Sequence, residues 1–272
     1  MATQNYDILT TPPKAMTFDV FGTVVNWRKT VTDTLIHSAA AKVSSSSRSA
    51  DLSPEIRSRI SELGDQEWGR FAQEWRNSYK KFVRGFVPKE NEWRDIDTHH
   101  RLSLIELIGE WGLAGLYSDL EIEELSRVWH FLEPWTDSSA GIHKLGTRFI
   151  TSTLSNGNPS LLEDLQKHGD LGFKKLQSSA DFKAYKPHPT VYLGAAKALG
   201  LEPSEVAMVA AHLPDLKAAR GCGLRTIYVE RPREEDWIPG SAEYEDAKSW
   251  VDMWVKEDED GFLEVARRFG TK

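Results

Sequence analysis

Residues 15–23 read AMTFDVFGT. From Ala15 to Val20 the run is short and apolar, a pattern that predicts a buried strand, and Gly22 with Thr23 breaks it just beyond Asp19. Asp19 therefore falls near the C-terminal end of that strand. An acid in such a place commonly caps a turn or a helix, and only its company makes it a candidate working group.

From about Trp27 to Trp135, aromatic and aliphatic residues recur every three or four positions, as in Trp68, Phe71, Trp75, Tyr79 and Phe82, which predicts helices. Ser44 to Ser47 read as a loop between two of them. From about Thr136 short apolar strands alternate with helices. Arg148 to Leu154 predicts a strand running out into Ser155, Asn156 and Gly157, before a helix opened by Asn158 and Pro159. Lys174 to Ser178 suggests another strand, and His188 with Pro189 opens a helix. Val206 to Ala211 and Arg225 to Val229 read as strands flanking a helix from Asp215 to Gly221. An acidic turn, Glu257 to Asp260, precedes a final amphipathic helix, Phe262 to Phe269. The alternation predicts an α/β fold with a Rossmann-like parallel sheet core, residues 1–26 and 136–272, and an inserted helical cap domain, residues 27–135. Ligands of such sheets bind outside the strands' carboxyl ends, where Asp19, Ser155 and Asp215 fall.

Composition narrows the class. The 272 residues suffice for one core with a large insertion, and 40% hydrophobic with 28% charged residues describes an ordinary globular chain. No apolar run reaches the roughly 20 residues of a spanning helix. The first residues, MATQNYDILTTPPK, lack the basic start and apolar stretch of a secretory signal, so a cytoplasmic address without membrane is expected. The one cysteine, Cys222, excludes an internal disulfide framework and a cysteine-rich metal site. Within ARGCGLRT it reads as small filler where a helix turns into a strand, not as a catalytic thiol. A net charge of −7 argues against a general nucleic-acid surface, while a local basic pocket remains open to a small anionic substrate.

Four stretches place chemistry at the predicted strand ends in chain order: FDVFGT (18–23), LSNG (154–157), YKPHPTVY (185–192) and AAHLPDL (210–216). They supply an acid, a hydroxyl with an amide, a lysine and a second acid. A carboxylate nucleophile needs a cation to orient it and offset an anionic substrate, and a hydroxyl or amide donor to hold that substrate. In these four motifs the chain resembles the haloacid dehalogenase superfamily over essentially the whole core. Within it the chain looks most like the type II L-2-haloacid dehalogenases.

The resemblance implies hydrolysis of small L-2-haloalkanoic acids to 2-hydroxy acids, with no cofactor. Asp19 would attack the substrate's Cα, displacing halide and forming an ester, and water would then attack the ester carbonyl. Thr23 would position Asp19 and Lys186 would pair with it. Ser155 would bind the substrate carboxylate, Asn156 would lie by the halogen, and Tyr192 would line the site. Asp215 would orient Lys186 or activate the water. Arg76, in EWRNSYKKF, stands where the family places an arginine that attracts the halide. A homodimer is also implied.

Two departures bear on the chemistry. Superfamily phosphatases carry a second Asp two places after the nucleophile to protonate a leaving alkoxide, whereas Phe21 stands here, and a departing halide needs no acid. The motif around Asp215 lacks the usual adjacent acidic pair, so Lys186 in place of Mg²⁺ is expected to supply positive charge. In the same motif Ala210 and His212 replace a Ser and an Asn, and His212 can bind substrate, assist proton transfer or be structural.

Blander readings accompany several of these residues. Arg76 is otherwise a surface arginine beside a buried Trp75, Ser155 and Asn156 are otherwise capping residues, and Tyr192 otherwise packs helix to sheet. Trp27, Trp68, Trp75, Trp93, Trp111, Trp129 and Trp135 read as core of the helical region. His99 and His100 read as packing or solvated groups, since sequence neighbours do not share a helix face. Two alternatives stay open for the whole chain: a Mg²⁺-dependent phosphatase or other hydrolase on the same core, and a non-catalytic binding module that has kept the fold.

Overall fold

The computed structural model describes residues 7–44 and 52–271. The serine run at 45–47 lies outside the described residues. The chain divides into two compact units, one formed by Met1–Asn26 with Glu133–Lys272 and the other by Trp27–Leu132. The second boundary falls at Leu132, not Trp135. Asn26 N–H donates to Glu133 O and Trp135 N–H donates to Val24 O, stitching residues 133–135 to the chain just after the first strand.

The first unit is built on a parallel sheet of β1 (Ala15–Phe18), β2 (Ile150–Thr153), β3 (Val206–Ala210), β4 (Arg225–Val229) and β5 (Met253–Val255), in the order β2-β1-β3-β4-β5. Both neighbours of β1 run in register with it, Phe18 lying opposite Thr153 and Val209. Sheets covered on both faces read as unbroken apolar runs, and β1 and β3 are buried at every residue. Phe18 meets Phe173 and Phe262 edge-on on one face, while Val191, Ala195, Leu213, Leu216 and Tyr228 fill the other. The chain crosses from β2 over β1 to reach β3. That makes the carboxyl ends of β1 and β3 the topological switch point, where a parallel sheet opens a crevice. Asp19 leaves one strand there, and His212 with Asp215 follows the other.

The helices of this unit are α6 (Ser138–Gly146), α7 (Pro159–His168), α8 (Pro189–Ala198), α9 (Leu213–Gly221), α10 (Ala242–Trp250) and α11 (Gly261–Arg268). Proline at the first turn opens α7, α8 and α9, where its missing N–H has no helical partner to lose. The predicted strand at Lys174 to Ser178 is reduced to isolated bridges, Lys175 with Ser152 and Ser178 with Ser155. The hydroxyl of Thr153 accepts from Gln177 N–H at 2.9 Å, so a side chain takes a donor that a regular ladder would use.

The second unit contains α1 (Trp27–Ser44), α2 (Pro54–Ser61), α3 (Asp65–Gly85), α4 (Ile96–Glu110) and α5 (Asp119–Ser126). Its aromatics form a core as expected, Trp135 excepted, which lies in the first unit with its Nε1 donating to Gly22 O at 3.0 Å: Trp75 meets Trp129 edge-on at 5.3 Å, and Trp27 stacks on Trp129 at 6.0 Å. Trp93 is only half-buried. His99 stacks on Phe82 and His100 on Trp129. Burial keeps both imidazoles neutral, pushing His99 down to about 4 with help from Arg94 and His100 well below its ordinary value. Among the described residues no helix is long and apolar enough to cross a membrane.

Candidate active site

Asp19 follows β1 with its backbone still in the sheet, its N–H donating to Val209 O at 3.0 Å. Three side chains then fix its carboxylate. Lys186 Nζ donates to Oδ1 at 2.8 Å, Thr23 Oγ1 donates to Oδ2 at 2.7 Å, and His212 Nδ1 lies 3.1 Å from Oδ2. Thr23 has its direction set from behind, because its hydroxyl accepts from Ala211 N–H at 2.9 Å. Gly22 adopts a φ of +89°, a left-handed turn that brings Thr23 back toward the acid it has just passed.

Lys186 stands just before α8 and bridges two acids. Its Nζ is 2.7 Å from Asp215 Oδ2, and Asp215 Oδ1 accepts from Tyr192 OH at 2.5 Å. Asp215 lies in the first turn of α9, where the helix dipole favours a negative group. Tyr192 is buried on α8, so it both packs and donates. Burial, with Asp215 nearby, raises its phenol well above the ordinary value and keeps the O–H donor in place.

Burial works against every charge here, and the partners decide the outcome. For Asp19 burial favours the neutral form, but the Lys186 charge and the His212 hydrogen bond outweigh it and hold the carboxyl far below the usual range. For Lys186 burial favours the free amine, yet Asp19 and Asp215 together hold it as ammonium. For His212 burial is overcome by hydrogen bonding to Asp19 and by Glu234, which push it up to about 9, making it an imidazolium at neutral pH. His212 Nε2 is buried without a hydrogen bond, and Glu234 Oε2 lies 3.6 Å away, an ion-pair separation longer than a hydrogen bond.

Asn156 and Ser155 follow β2. Asn156 Oδ1 accepts from Lys186 N–H at 2.8 Å and Ser179 Oγ at 2.6 Å, while its Nδ2 donates to Lys186 O at 3.4 Å. The amide is therefore committed to the backbone of Lys186, an employment the sequence did not suggest. Ser155 is fully buried, and its hydroxyl accepts from Gly157 N–H at 3.1 Å. Phe21 is buried with its ring against Gly157, where an added Cβ would fall 3.2 Å from Cε2.

Arg76 belongs to the helical unit, on α3, and is 5% exposed, so it is not the surface arginine of the blander reading. Its guanidinium lies 4.5 Å from the ring centre of Tyr79 and 5.7 Å from that of Trp27. A cation over aromatic faces keeps its charge while losing water, which suits capture of an anion.

The donor set does not fit a divalent cation. Such an ion takes about six oxygen ligands, and the space between the Asp19 and Asp215 carboxylates is held by the Lys186 ammonium. Sequence reasoning missed Glu234 and Ser179; the collision that a side chain at position 22 would make with Glu234 shows only in the folded chain.

The chain is 31% identical over 123 residues to (S)-2-haloacid dehalogenase 4A of Burkholderia cepacia, covering 43% of this chain and 53% of that protein. It is 32% identical over 103 residues to (S)-2-haloacid dehalogenase of Pseudomonas sp. (strain YL), covering 37% and 44%. The chain thus spans about half the length of the curated relatives it matches. Its fold superposes on a crystal structure described as a defluorinating L-2-haloacid dehalogenase with a TM-score of 0.76, at 31% identity over 95% of this chain and 96% of that one. A family model matches residues 13–223, taking in Asp19, Thr23, Lys186, His212 and Asp215, and the chain belongs to the haloacid dehalogenase-like hydrolases.

Proposed function

We propose that this protein is a hydrolase of carbon–halide bonds, converting small L-2-haloalkanoic acids to 2-hydroxy acids through an ester on Asp19. The observation that carries the reading is the state of the Asp19 carboxylate: ionised, buried, held by Lys186, Thr23 and His212, and followed two places later by Phe21 instead of an acid. A desolvated, oriented carboxylate is a competent nucleophile toward carbon. Halide is a leaving group that needs no proton, which suits Phe21.

In this reading Asp19 displaces halide from Cα with inversion, while Lys186 keeps the acid ionised and offsets the substrate's carboxylate. Ser155, with neighbouring backbone N–H groups, receives that carboxylate, and Tyr192 and Phe21 line the site. Asn156 acts chiefly by fixing Lys186. Arg76, on the helical cap, draws off the halide. Water then attacks Cγ of the ester, giving one proton to Asp215, which passes it to the departing alkoxide. The proton left on the re-formed acid goes to solvent as Asp19 ionises, so each turnover yields hydroxy acid, halide and one proton. A homodimer in the cytoplasm, acting on small acids and not on nucleic acid or membrane, completes the proposal.

The test is halide release from each enantiomer of 2-chloropropionate and from chloro- and fluoroacetate, with EDTA present and Asp19→Asn alongside. Release from the L-acid that vanishes in the variant is expected. Absence of release from all four, or Mg²⁺-dependent release of phosphate from a panel of esters instead, would sink the reading.

A further inference from the structure

Each carboxylate oxygen offers two in-plane lone-pair sites. On Asp19, Oδ2 has both filled, by Thr23 at 2.7 Å and His212 at 3.1 Å, whereas among the described residues Oδ1 takes the single donor Lys186 at 2.8 Å. Oδ1 is therefore the oxygen with a pair to give, and Oδ2 becomes the carbonyl oxygen of the ester. When water attacks Cγ, negative charge collects on Oδ2, already faced by a hydroxyl and an imidazole N–H.

Behind His212 stands Glu234, its side chain 4% exposed and its Oε2 3.6 Å from His212 Nε2. Its seat is built into the fold. An added Cβ on Gly22 would fall 2.1 Å from Glu234 Oε2, so the carboxylate occupies space that only glycine leaves. The loop carrying it is pinned on both sides. Arg231 forms a two-bonded pair with Asp137 at 2.6 and 2.8 Å and donates to Thr23 O, and Glu235 accepts from Leu213 N–H and Trp237 N–H, each at 2.7 Å. Among the described residues the charged groups facing His212 are Asp19, Glu234 and Glu235, with Lys186 beyond Asp19. Glu235 is engaged by the two backbone amides, which leaves Glu234 as the acid aimed at the ring.

Resting on the dehalogenase reading above, we infer that Glu234 is a positioning residue for the second half-reaction: through His212 it keeps a cationic N–H donor on Asp19 Oδ2, so that Thr23 and His212 form the oxyanion hole for ester hydrolysis. In the resting enzyme His212 has two carboxylates to hold its proton. Alkylation of Oδ1 removes the charge of Asp19, and Glu234 then holds the imidazolium alone. As water adds, the O–Cγ bond forms and the carbonyl electrons move onto Oδ2. As the oxyanion collapses, the Cγ–O(alkyl) bond breaks, the alkoxide takes the proton parked on Asp215, and His212 keeps its own. Glu234 thus matters more after halide has left than before.

The experiment compares wild type with Glu234→Gln in the full chain, using L-2-chloropropionate. Rapid-quench measurement of first-turnover halide is set against steady-state rate, intact mass reports ester on the protein, and ¹⁵N spectra follow titration of the His212 ring. First-turnover halide is expected within about 3-fold of wild type and steady-state turnover down by about 10- to 100-fold. Ester should accumulate, and the His212 titration should move down by about one unit or more. Glu234→Asp, which keeps the charge but withdraws it, should recover part of the second-step rate. Equal slowing of both phases, no accumulated ester, or Asp as slow as Gln would overturn the inference. If wild type releases no halide, the dehalogenase reading fails; an unmoved His212 titration separately overturns the link from Glu234.

Discussion

Lys186 is the residue on which the site's charge balance turns. Its ammonium touches two acids in a buried place, so Lys186→Met strands Asp19 and Asp215 face to face. Removing one partner of a buried ionic group costs about 3–5 kcal/mol, and the variant's urea midpoint should fall accordingly with its slope unchanged. Adding Asp215→Asn removes one stranded charge and should recover part of the loss; a double variant no more stable than the single would show that the two acids do not interact. Asp19, Thr23, Lys186 and Asp215 were legible in the sequence because their chemistry lies in short motifs at strand ends. Asn156 was legible as a site residue, but not its hold on the Lys186 backbone, which depends on a contact between segments 30 residues apart. Glu234 carried no local signal at all, being 22 residues from His212 and far from Gly22 in the chain.

The element that brings His212 and Asp215 to the site is α9, whose first N–H, on Leu213, is accepted by the Glu235 carboxylate. His212 at the cap position makes no side-chain bond to the helix, so this contact from another loop does the capping. Glu235→Gln keeps the shape and weakens the acceptor, and Glu235→Ala removes it, with an expected loss of about 1 kcal/mol for the latter. Thermal unfolding of both variants checks this; an unchanged midpoint for Ala would mean that the cap contributes nothing. Strand positions were readable where the sheet is covered on both faces, as in Val206 to Ala210. The three-residue β5 went unread because so short a strand carries no period, and α6 because Asp137, where a helix cap would be sought, gives its carboxylate to Arg231 and to Phe262 N–H.

At the scale of the molecule, the buried charges tie stability to pH. His212 is raised from 6.5 to about 9 in the fold, so its contribution is full below about pH 6.5 and is lost as pH rises through about 9. The most this can amount to is on the order of 3 kcal/mol. Asp19 runs the other way: its carboxyl is depressed, so its contribution is present above its ordinary 3.8 and is lost as pH falls below it. Denaturant unfolding of wild type and His212→Gln at pH 6 and pH 9.5 tests the alkaline limb. Wild type should lose more stability between the two than the variant, and parallel losses would detach His212 from the pH response.

The contact between Gly22 and the carboxylate of Glu234 also limits how this sequence can drift. Residues 22 and 234 lie in separate segments, yet they occupy one volume, so a side chain at 22 is admissible only after 234 has shortened. Even then the positive φ of the turn penalises anything but glycine. Glu234, by contrast, can be lost in a single step without any steric penalty. The two positions therefore form a one-way gate: once a descendant chain trades away the acid and then fills the vacated space from position 22, restoring the acid alone no longer restores the site.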